Sequence, residues 1–192
     1  DSTITLLSEE LNLDPVLKIN TVEHNGHKIG YLFYAQYISN FNSSLDSAFR
    51  YFQDQQITAL VLDLRYNPGG YTSAAQYLCS SIAPEGVVNS LSTLVTYQWN
   101  DKYQEHWEST NDASQLGVYF TDSVAVNLGL DKLHVLIGTG TASASELTIT
   151  GLKPYMDVIT VGETTHGKYT ASITLKPEDY YESETYYSKF DN

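Results

Sequence analysis

The chain has 192 residues, 42% of them hydrophobic and 12% aromatic, which is the composition of one globular domain and not of a disordered polypeptide. Ten basic against 23 acidic residues give a formal net charge of −13, which repels phosphate backbones and argues against a nucleic-acid partner. The single cysteine, Cys79, excludes an intrachain disulfide and a zinc site built from cysteines.

The first half of the chain predicts a strand, a helix and a second strand. Residues 1–28 are polar and weakly periodic, so we expect a loop-like lead-in there. Residues 29–34 form a short β-prone apolar run, and residues 57–64 are almost continuously apolar, as in a strand buried on both faces. Between them lies an amphipathic helix, capped by Asn42, Ser43 or Ser44, with these residues on its apolar face: Leu45, Ala48, Phe49 and Phe52.

The second half continues this alternation after a sharp turn at residues 67–70. A helix is predicted over 72–83 and a strand over 92–99, whereas 100–130 is polar, aromatic and expected to be mostly irregular. The remaining predicted elements are a strand at 133–138, a helix at 143–155, and strands at 158–162 and 170–175. The pattern indicates a single-domain α/β fold with a mostly parallel sheet.

Residues 138–146 link a predicted buried strand to a helix through small side chains and place Ser143 in the first helical turn. The free N–H groups and the positive end of the helix dipole there favour a developing anion, as an activated serine requires. The alternative interpretation is a capping box, in which Ser143 caps the helix and Glu146 reaches back to the Ser143 N–H.

A serine nucleophile also needs a base and an oxyanion hole. His166 and Lys168 are the basic side chains that follow nearby, although either alone is more typical of a solvated surface residue. Gly69 and Gly70 follow the carboxyl end of a predicted strand, and their N–H groups are unshielded by side chains. Taken alone, this turn is also typical of an ordinary strand-to-helix connection.

Three segments, in order, resemble motifs of peptidase family S41, the C-terminal processing or tail-specific serine peptidases. They are residues 61–70 (VLDLRYNPGG), 141–147 (TASASEL) and 161–168 (VGETTHGK). The resemblance implies a crotonase-like α/β core of repeated strand-strand-helix units. It further implies that Ser143 is the nucleophile, that Lys168 is the base, and that the N–H groups of Ala144 and of Gly69 or Gly70 form the oxyanion hole.

The resemblance also sets expectations for the rest of the chain. Many members carry a glutamine that orients the lysine, and Ser172 occupies that position here. Members usually have a PDZ domain before the core, so we expect residues 1–28 to be a lead-in after a missing PDZ-type domain. Residues 29–192 would then be the peptidase core, truncated at its C-terminus.

The resemblance implies a polypeptide substrate, such as protein C-terminal tails or unfolded chains, and no cofactor. The location that it implies is periplasmic or elsewhere in the cell envelope, with any signal segment already removed. A metal is not expected, because His24 with His27, and His106 with Glu108, are short polar pairs without a third ligand marked by spacing.

Two alternatives stay open. The first is a non-catalytic ligand- or peptide-binding module on the same core. The second is a dinucleotide-binding domain, because Gly138, Gly140 and the later acid Glu163 imitate a Rossmann fingerprint. Against the second, Ser143 stands where that fingerprint has its third glycine. Cys79 lies on the apolar face of its predicted helix and is expected to pack in the core.

Overall fold

The computed structural model describes residues 13–172 and contains a five-stranded sheet in the order β1-β2-β3-β6-β7. Strands β1 and β2 pair antiparallel, and the other three pairs are parallel. Strands β4 and β5 form a separate antiparallel pair. The strands are β1 Val16–His24, β2 His27–Tyr34, β3 Ala59–Asp63, β4 Thr93–Thr96, β5 Gly117–Tyr119, β6 Lys132–Ile137 and β7 Asp157–Gly162. The helices are α1 Asn42–Asp54, α2 Thr72–Ile82, α3 Glu85–Asn89, α4 Asp101–Thr110, α5 Ala113–Leu116 and α6 Ala144–Leu152.

This mixed, mostly parallel sheet confirms the predicted α/β class. The core lies on the sheet face on which α1, α2 and α6 pack, because alternate side chains of β2, β3 and β6 point there. The parallel register aligns Leu32 with Leu62, and Leu62 with Val135, and all three are fully buried. Their neighbours on the opposite face, such as Tyr31, Val61 and His134, are only partly buried.

Helix α1 buries the four residues that the sequence predicts, and its start corrects the predicted cap. Residue Phe41 takes the N-cap position, and no side chain caps the helix end. Cys79 on α2 is fully buried, and burial raises the pKa of its thiol to about 12, which keeps the thiol protonated at neutral pH. Cys79 is therefore a core residue, as expected.

Two stretches are more ordered than the sequence suggests. Part of the expected lead-in loop is strand β1, which pairs with β2 across the turn at Asn25 and Gly26. Both faces of this edge strand are largely exposed, so its apolar residues show no clean alternation. The stretch 100–130 contains α4, α5 and β5. Helix α4 buries none of its residues, so it lacks an apolar stripe, and only its caps Asn100 and Asn111 mark it.

Half of the predicted strand at 170–175 lies outside the described residues, and its described part, 170–172, is not a strand. In the part of the chain that the structure describes, no helix has the length and apolarity needed to cross a bilayer.

Candidate active site

The candidate site lies where three loops leave the same edge of the sheet. Strands β3, β6 and β7 are adjacent and parallel, so their carboxyl ends meet at one edge. The loop after β3 carries Gly69 and Gly70, the loop after β6 carries Ser143, and the loop after β7 carries Lys168. The fold thus brings the three sequence motifs to one place.

Asn67 joins the first two loops and is fully buried. Its side-chain amide donates to the Tyr34 carbonyl over 2.9 Å, and its Oδ1 accepts from the Gly69 N–H over 2.9 Å. Its carbonyl accepts from the Ala142 N–H over 3.2 Å and from the Ser145 hydroxyl over 3.0 Å. A single buried residue therefore fixes both the glycine turn, through its side chain, and the segment that carries Ser143, through its backbone carbonyl.

The glycine turn touches the Ser143 segment directly. Gly69 has φ +96, and a Cβ added there would lie 2.8 Å from both the Ser143 Cβ and the Ala144 nitrogen. Only glycine combines this backbone conformation with so close an approach. Gly70 is bridged to Tyr37 through the Gly69 carbonyl and the Tyr71 N–H, a pairing that does not use the Gly70 N–H itself.

Ser143 occupies the N-cap position of α6 with a strained backbone, at φ 57 and ψ −115. Typical N-cap residues lie in the β region, and a positive φ in a residue other than glycine costs about 1–3 kcal/mol. Ser143 is half-buried, whereas Ala142, Ala144 and Ser145 around it are buried. The surrounding structure therefore holds one partly accessible hydroxyl on a strained turn between a strand and a helix.

Glu146 connects the Ser143 turn with the Lys168 loop. Its Oε2 accepts the Ser143 N–H over 2.8 Å, as the capping-box interpretation predicts. The same carboxylate also accepts the Gly167 N–H over 2.6 Å and the Lys168 N–H over 2.9 Å. Sequence reasoning found only the first of these bonds, because the other two depend on the parallel placement of β6 and β7.

These hydrogen bonds set the charge state of Glu146. Partial burial raises the pKa of the carboxyl, but hydrogen bonds from the Thr165 side chain and from the three backbone N–H groups outweigh burial and lower that pKa. Glu146 is thus held as a carboxylate, which accepts more strongly than a neutral group.

Thr141 anchors the Lys168 loop from the other side. Its carbonyl accepts the His166 N–H over 2.9 Å, and its hydroxyl donates to the Leu64 carbonyl over 2.6 Å. The Lys168 side chain is exposed, and its backbone is fixed by Glu146. Ser172, the expected orienting residue, is exposed at the end of the described chain.

Asp63 and Arg65 brace the start of the glycine turn, a feature that sequence reasoning missed. Asp63 is fully buried at the end of β3 and accepts two hydrogen bonds from Arg65 Nε, over 3.0 and 3.2 Å, and one from its Nη2, over 2.7 Å. The Tyr31 hydroxyl donates to the same carboxylate over 2.7 Å. Burial raises the pKa of Asp63, but the bonds from Arg65 and Tyr31 prevail and lower it.

The comparison with known proteins agrees with this arrangement. The family model of peptidase family S41 matches residues 28–189. The chain belongs to peptidase family S41. A carboxyl-terminal-processing protease from Synechocystis is 29% identical to this S41 chain over 164 residues, or 85% of the chain and 34% of that protein.

Two further proteins extend the comparison. A chloroplastic carboxyl-terminal-processing peptidase from Arabidopsis thaliana is 29% identical over 86% of this S41 chain and 29% of its own length. A crystal structure of an S41 protein from Bacteroides fragilis superposes with a TM-score of 0.76 at 32% identity, over 89% of this chain and 44% of that one. The S41 chain therefore spans between about a third and a half of the length of these proteins.

The structure gives the glycines of the Rossmann-like pattern another role. A Cβ on Gly138 or Gly140 would lie 3.2 or 3.0 Å from the Arg65 carbonyl, so the loop after β3 occupies the space beside both glycines. Their small size serves packing between two loops of this S41 chain. Within residues 13–172, no group of three or more His, Cys, Asp or Glu side chains is placed to hold a metal ion.

Proposed function

We propose that this S41 chain is the core of a serine endopeptidase in which Ser143 is the nucleophile and Lys168 the general base. The observation that carries the proposal is the shared carboxylate of Glu146, which accepts the backbone N–H groups of both residues. Because one carboxylate binds both backbones, the backbone from which the Lys168 side chain extends is held beside the serine turn.

In the proposed reaction, the amine of Lys168 takes the hydroxyl proton as Ser143 Oγ attacks a peptide carbonyl carbon. The tetrahedral intermediate then breaks its C–N bond, and the lysine ammonium returns the proton to the leaving amine. Water attacks the acyl-enzyme and gives a proton to Lys168, and the ester C–O bond breaks as that proton returns to Ser143.

We propose the N–H groups of Ala144 and Gly70 as the oxyanion hole. Gly69 was the other expected donor, but its N–H is donated to Asn67 Oδ1 over 2.9 Å. The pairing of Gly70 with Tyr37 leaves the Gly70 N–H free for another acceptor. Gly69 then allows the close approach of the two loops, because a Cβ at this position would lie 2.8 Å from the Ala144 nitrogen. Ser172 remains the proposed orienting residue for Lys168.

The broader assignments rest on the same family. We propose that residues 29–192, together with strand β1 at Val16–His24 and the start of β2, form a crotonase-like core that follows a PDZ-type domain in the longer protein. The substrates would be protein C-terminal tails or unfolded polypeptides, which carboxyl-terminal-processing relatives suggest by name. The site of action would be outside the cytoplasm, in the periplasm or cell envelope.

The test is cleavage of an unstructured peptide by the 192-residue chain, followed by mass spectrometry of the products. Ser143→Ala and Lys168→Ala should each lose at least ~1,000-fold in rate, as expected when a member of a catalytic unit is removed. Matched controls are Ser109→Ala and Lys153→Ala, which remove an exposed serine and an exposed lysine away from the site. Full serine-dependent activity in Lys168→Ala would contradict the dyad, and binding without cleavage would favour the non-catalytic module.

A further inference from the structure

A groove of about 470 Å³ lies between the end of β4 and helix α4, outside the site described above. We call it the acidic aromatic groove and define it by the residues that line it: Tyr97, Gln98, Trp99, Asp101, Gln104, Glu105 and Glu108. The four residues of α4 are spaced at i, i+3, i+4 and i+7, so they form one continuous helix face. The groove therefore presents three carboxylates close to Tyr97 and Trp99.

The carboxylates of this groove are not neutralised by the described part of the protein. Between residues 13 and 172 the ion pairs are Arg65 with Asp63 and Lys132 with Asp157, and neither involves the groove. Glu108 accepts one hydrogen bond, from the Gln104 side-chain amide over 2.7 Å. Lys102 is the one lysine or arginine of α4, so the helix keeps a net negative charge beside the groove, which suits a cation.

Tyr97 and Trp99 form the aromatic wall of this groove, and neighbouring residues hold Trp99 in place. The Trp99 ring lies 6.4 Å from Tyr97, 6.1 Å from Tyr103 and 6.3 Å from Trp107, measured between ring centroids. Its backbone N–H donates to Gln104 Oε1 over 3.1 Å, and its indole N–H donates to the Gln115 carbonyl. A fixed tryptophan next to carboxylates is a favourable place for an ammonium or guanidinium group.

The groove begins at the catalytic end of the protein. The Tyr97 phenol faces the side chain of Thr72, the first residue of α2, which follows the Gly69-Gly70 turn after one residue. The groove therefore lies on the α2 side of the glycine turn.

We propose that the acidic aromatic groove binds a lysine or arginine side chain of the polypeptide substrate and so selects where the chain is cut. A basic side chain has an apolar stem for the aromatic wall and a cationic head for the carboxylates. The inference rests on the proposed function, because it assumes a polypeptide in the neighbouring site.

The test uses several sets of peptides. Within a set, the peptides differ at one position only, which carries lysine, norleucine or glutamate. That position moves from set to set through the successive sites around the scissile bond. At one position, lysine should raise kcat/KM at least ~10-fold over norleucine, mainly through KM, and the preference should weaken with added salt. The double variant Glu105→Gln/Glu108→Gln should lose this preference and cut the norleucine peptide as before. The amide introduced at position 108 still offers an oxygen to Gln104, and the exposed Glu85→Gln is the matched control.

A second readout separates this inference from the proposed function. Both tryptophans of the chain, Trp99 and Trp107, belong to this aromatic cluster, so fluorescence excited selectively in tryptophan, and not in the 16 tyrosines, reports on it. Lysine peptide should change the fluorescence of Ser143→Ala, and Glu105→Gln/Glu108→Gln added to that variant should weaken binding. If the lysine peptide binds in this way but the unmutated chain does not cleave it, the result would support the groove proposal and overturn the peptidase proposal.

Three results would overturn the groove. The first is cleavage with no preference for lysine at any position, which leaves the peptidase proposal intact. The second is a preference that Glu105→Gln/Glu108→Gln does not change. The third is binding that is equal for lysine and norleucine peptides, or absent for both, because then charge plays no part in recognition.

Discussion

Ser143 and Lys168 donate their backbone N–H groups to the same atom, Oε2 of Glu146, over 2.8 and 2.9 Å. The two residues come from different loops, so this oxygen joins the loops, together with the bond from the His166 N–H to the Thr141 carbonyl. A capping residue of α6 thereby also acts as a positioning residue for the proposed active site.

Glu146→Gln should lower kcat by about 10- to 100-fold with little change in KM. The amide keeps the side-chain volume, but one acceptor oxygen becomes an NH₂ group that faces backbone N–H donors. Hydrogen bonds to charged groups contribute about 1.5–3 kcal/mol each, and a tenfold change in rate corresponds to about 1.4 kcal/mol. Steady-state kinetics on an unstructured peptide measure the effect, with the exposed Glu85→Gln as control. Wild-type kcat in Glu146→Gln would show that the shared oxygen is dispensable.

Gly69→Ala should inactivate the protein and destabilise it by about 1–3 kcal/mol. The added Cβ would lie 2.7 Å from the Ala142 carbonyl oxygen and 2.8 Å from the Ser143 Cβ, at a backbone φ of +96. Either the glycine turn or the serine turn must shift, and a displacement of 1 Å can cost about 100-fold in rate. Urea unfolding and peptide cleavage measure the two effects.

Gly86→Ala is the matched control for that substitution. A Cβ on Gly86 meets no atom within 4 Å, and Gly86 lies in helix α3, where alanine is the better helix former. Stability should stay the same or rise, and activity should not change. Equal losses in both variants would mean that the contact with Ser143 is not the cause.

The sequence predicts much of this arrangement, and the remainder depends on contacts between distant residues. Strand and helix periodicity locates β2, β3, α1, α2, β6 and β7, and parallel strands alone bring their following loops to one edge. The bonds from Glu146 to Gly167 and Lys168 join a side chain to backbone groups more than 20 residues away. No local pattern marks such a bond, because any residue supplies a backbone N–H.

Strand β1 and helix α4 were missed for a different reason. Neither element contains a fully buried residue, so neither needs the apolar periodicity from which a strand or helix is predicted. The role of Asp63 was missed because the sequence around it is typical of the polar end of a strand. Asp63 is in fact fully buried, with hydrogen bonds from Arg65 and from Tyr31 on a neighbouring strand.

Asp63→Asn should destabilise the protein by about 1–3 kcal/mol, because the buried carboxylate serves both Arg65 and Tyr31. Tyr31→Phe removes one of these bonds and should cost about 1 kcal/mol. The exposed Asp54→Asn is the control and should stay within about 0.5 kcal/mol. Chemical denaturation measures all three, and equal values for Asp63→Asn and Asp54→Asn would contradict a bracing role.

Low pH should weaken the hydrogen bonds through which Glu146 joins the Ser143 and Lys168 loops. The pKa of Glu146 is lower in the folded protein than its ordinary value of 4.5, so its contribution to stability is complete above that pH. The contribution is lost as the pH falls from there through the folded pKa. The difference in free energy of unfolding between wild type and Glu146→Gln should therefore be constant from pH 7 to about 5 and shrink below. Asp63 titrates in both proteins, so its effect cancels; a difference that persists to pH 2 would refute the assignment.

Ser143→Gly should be more stable than Ser143→Ala by about 1 kcal/mol, although both should be inactive. The backbone at this position has φ 57 and ψ −115, which strains alanine as it strains serine, whereas glycine adopts positive φ freely. Relief of about 1–3 kcal/mol of strain is partly offset by about 0.4–1 kcal/mol of extra chain entropy that glycine brings to the unfolded state. Urea denaturation of the two variants measures the difference directly. If Ser143→Ala proved the more stable protein, the turn would not be strained, and the backbone conformation of Ser143 would not lower the free energy of unfolding.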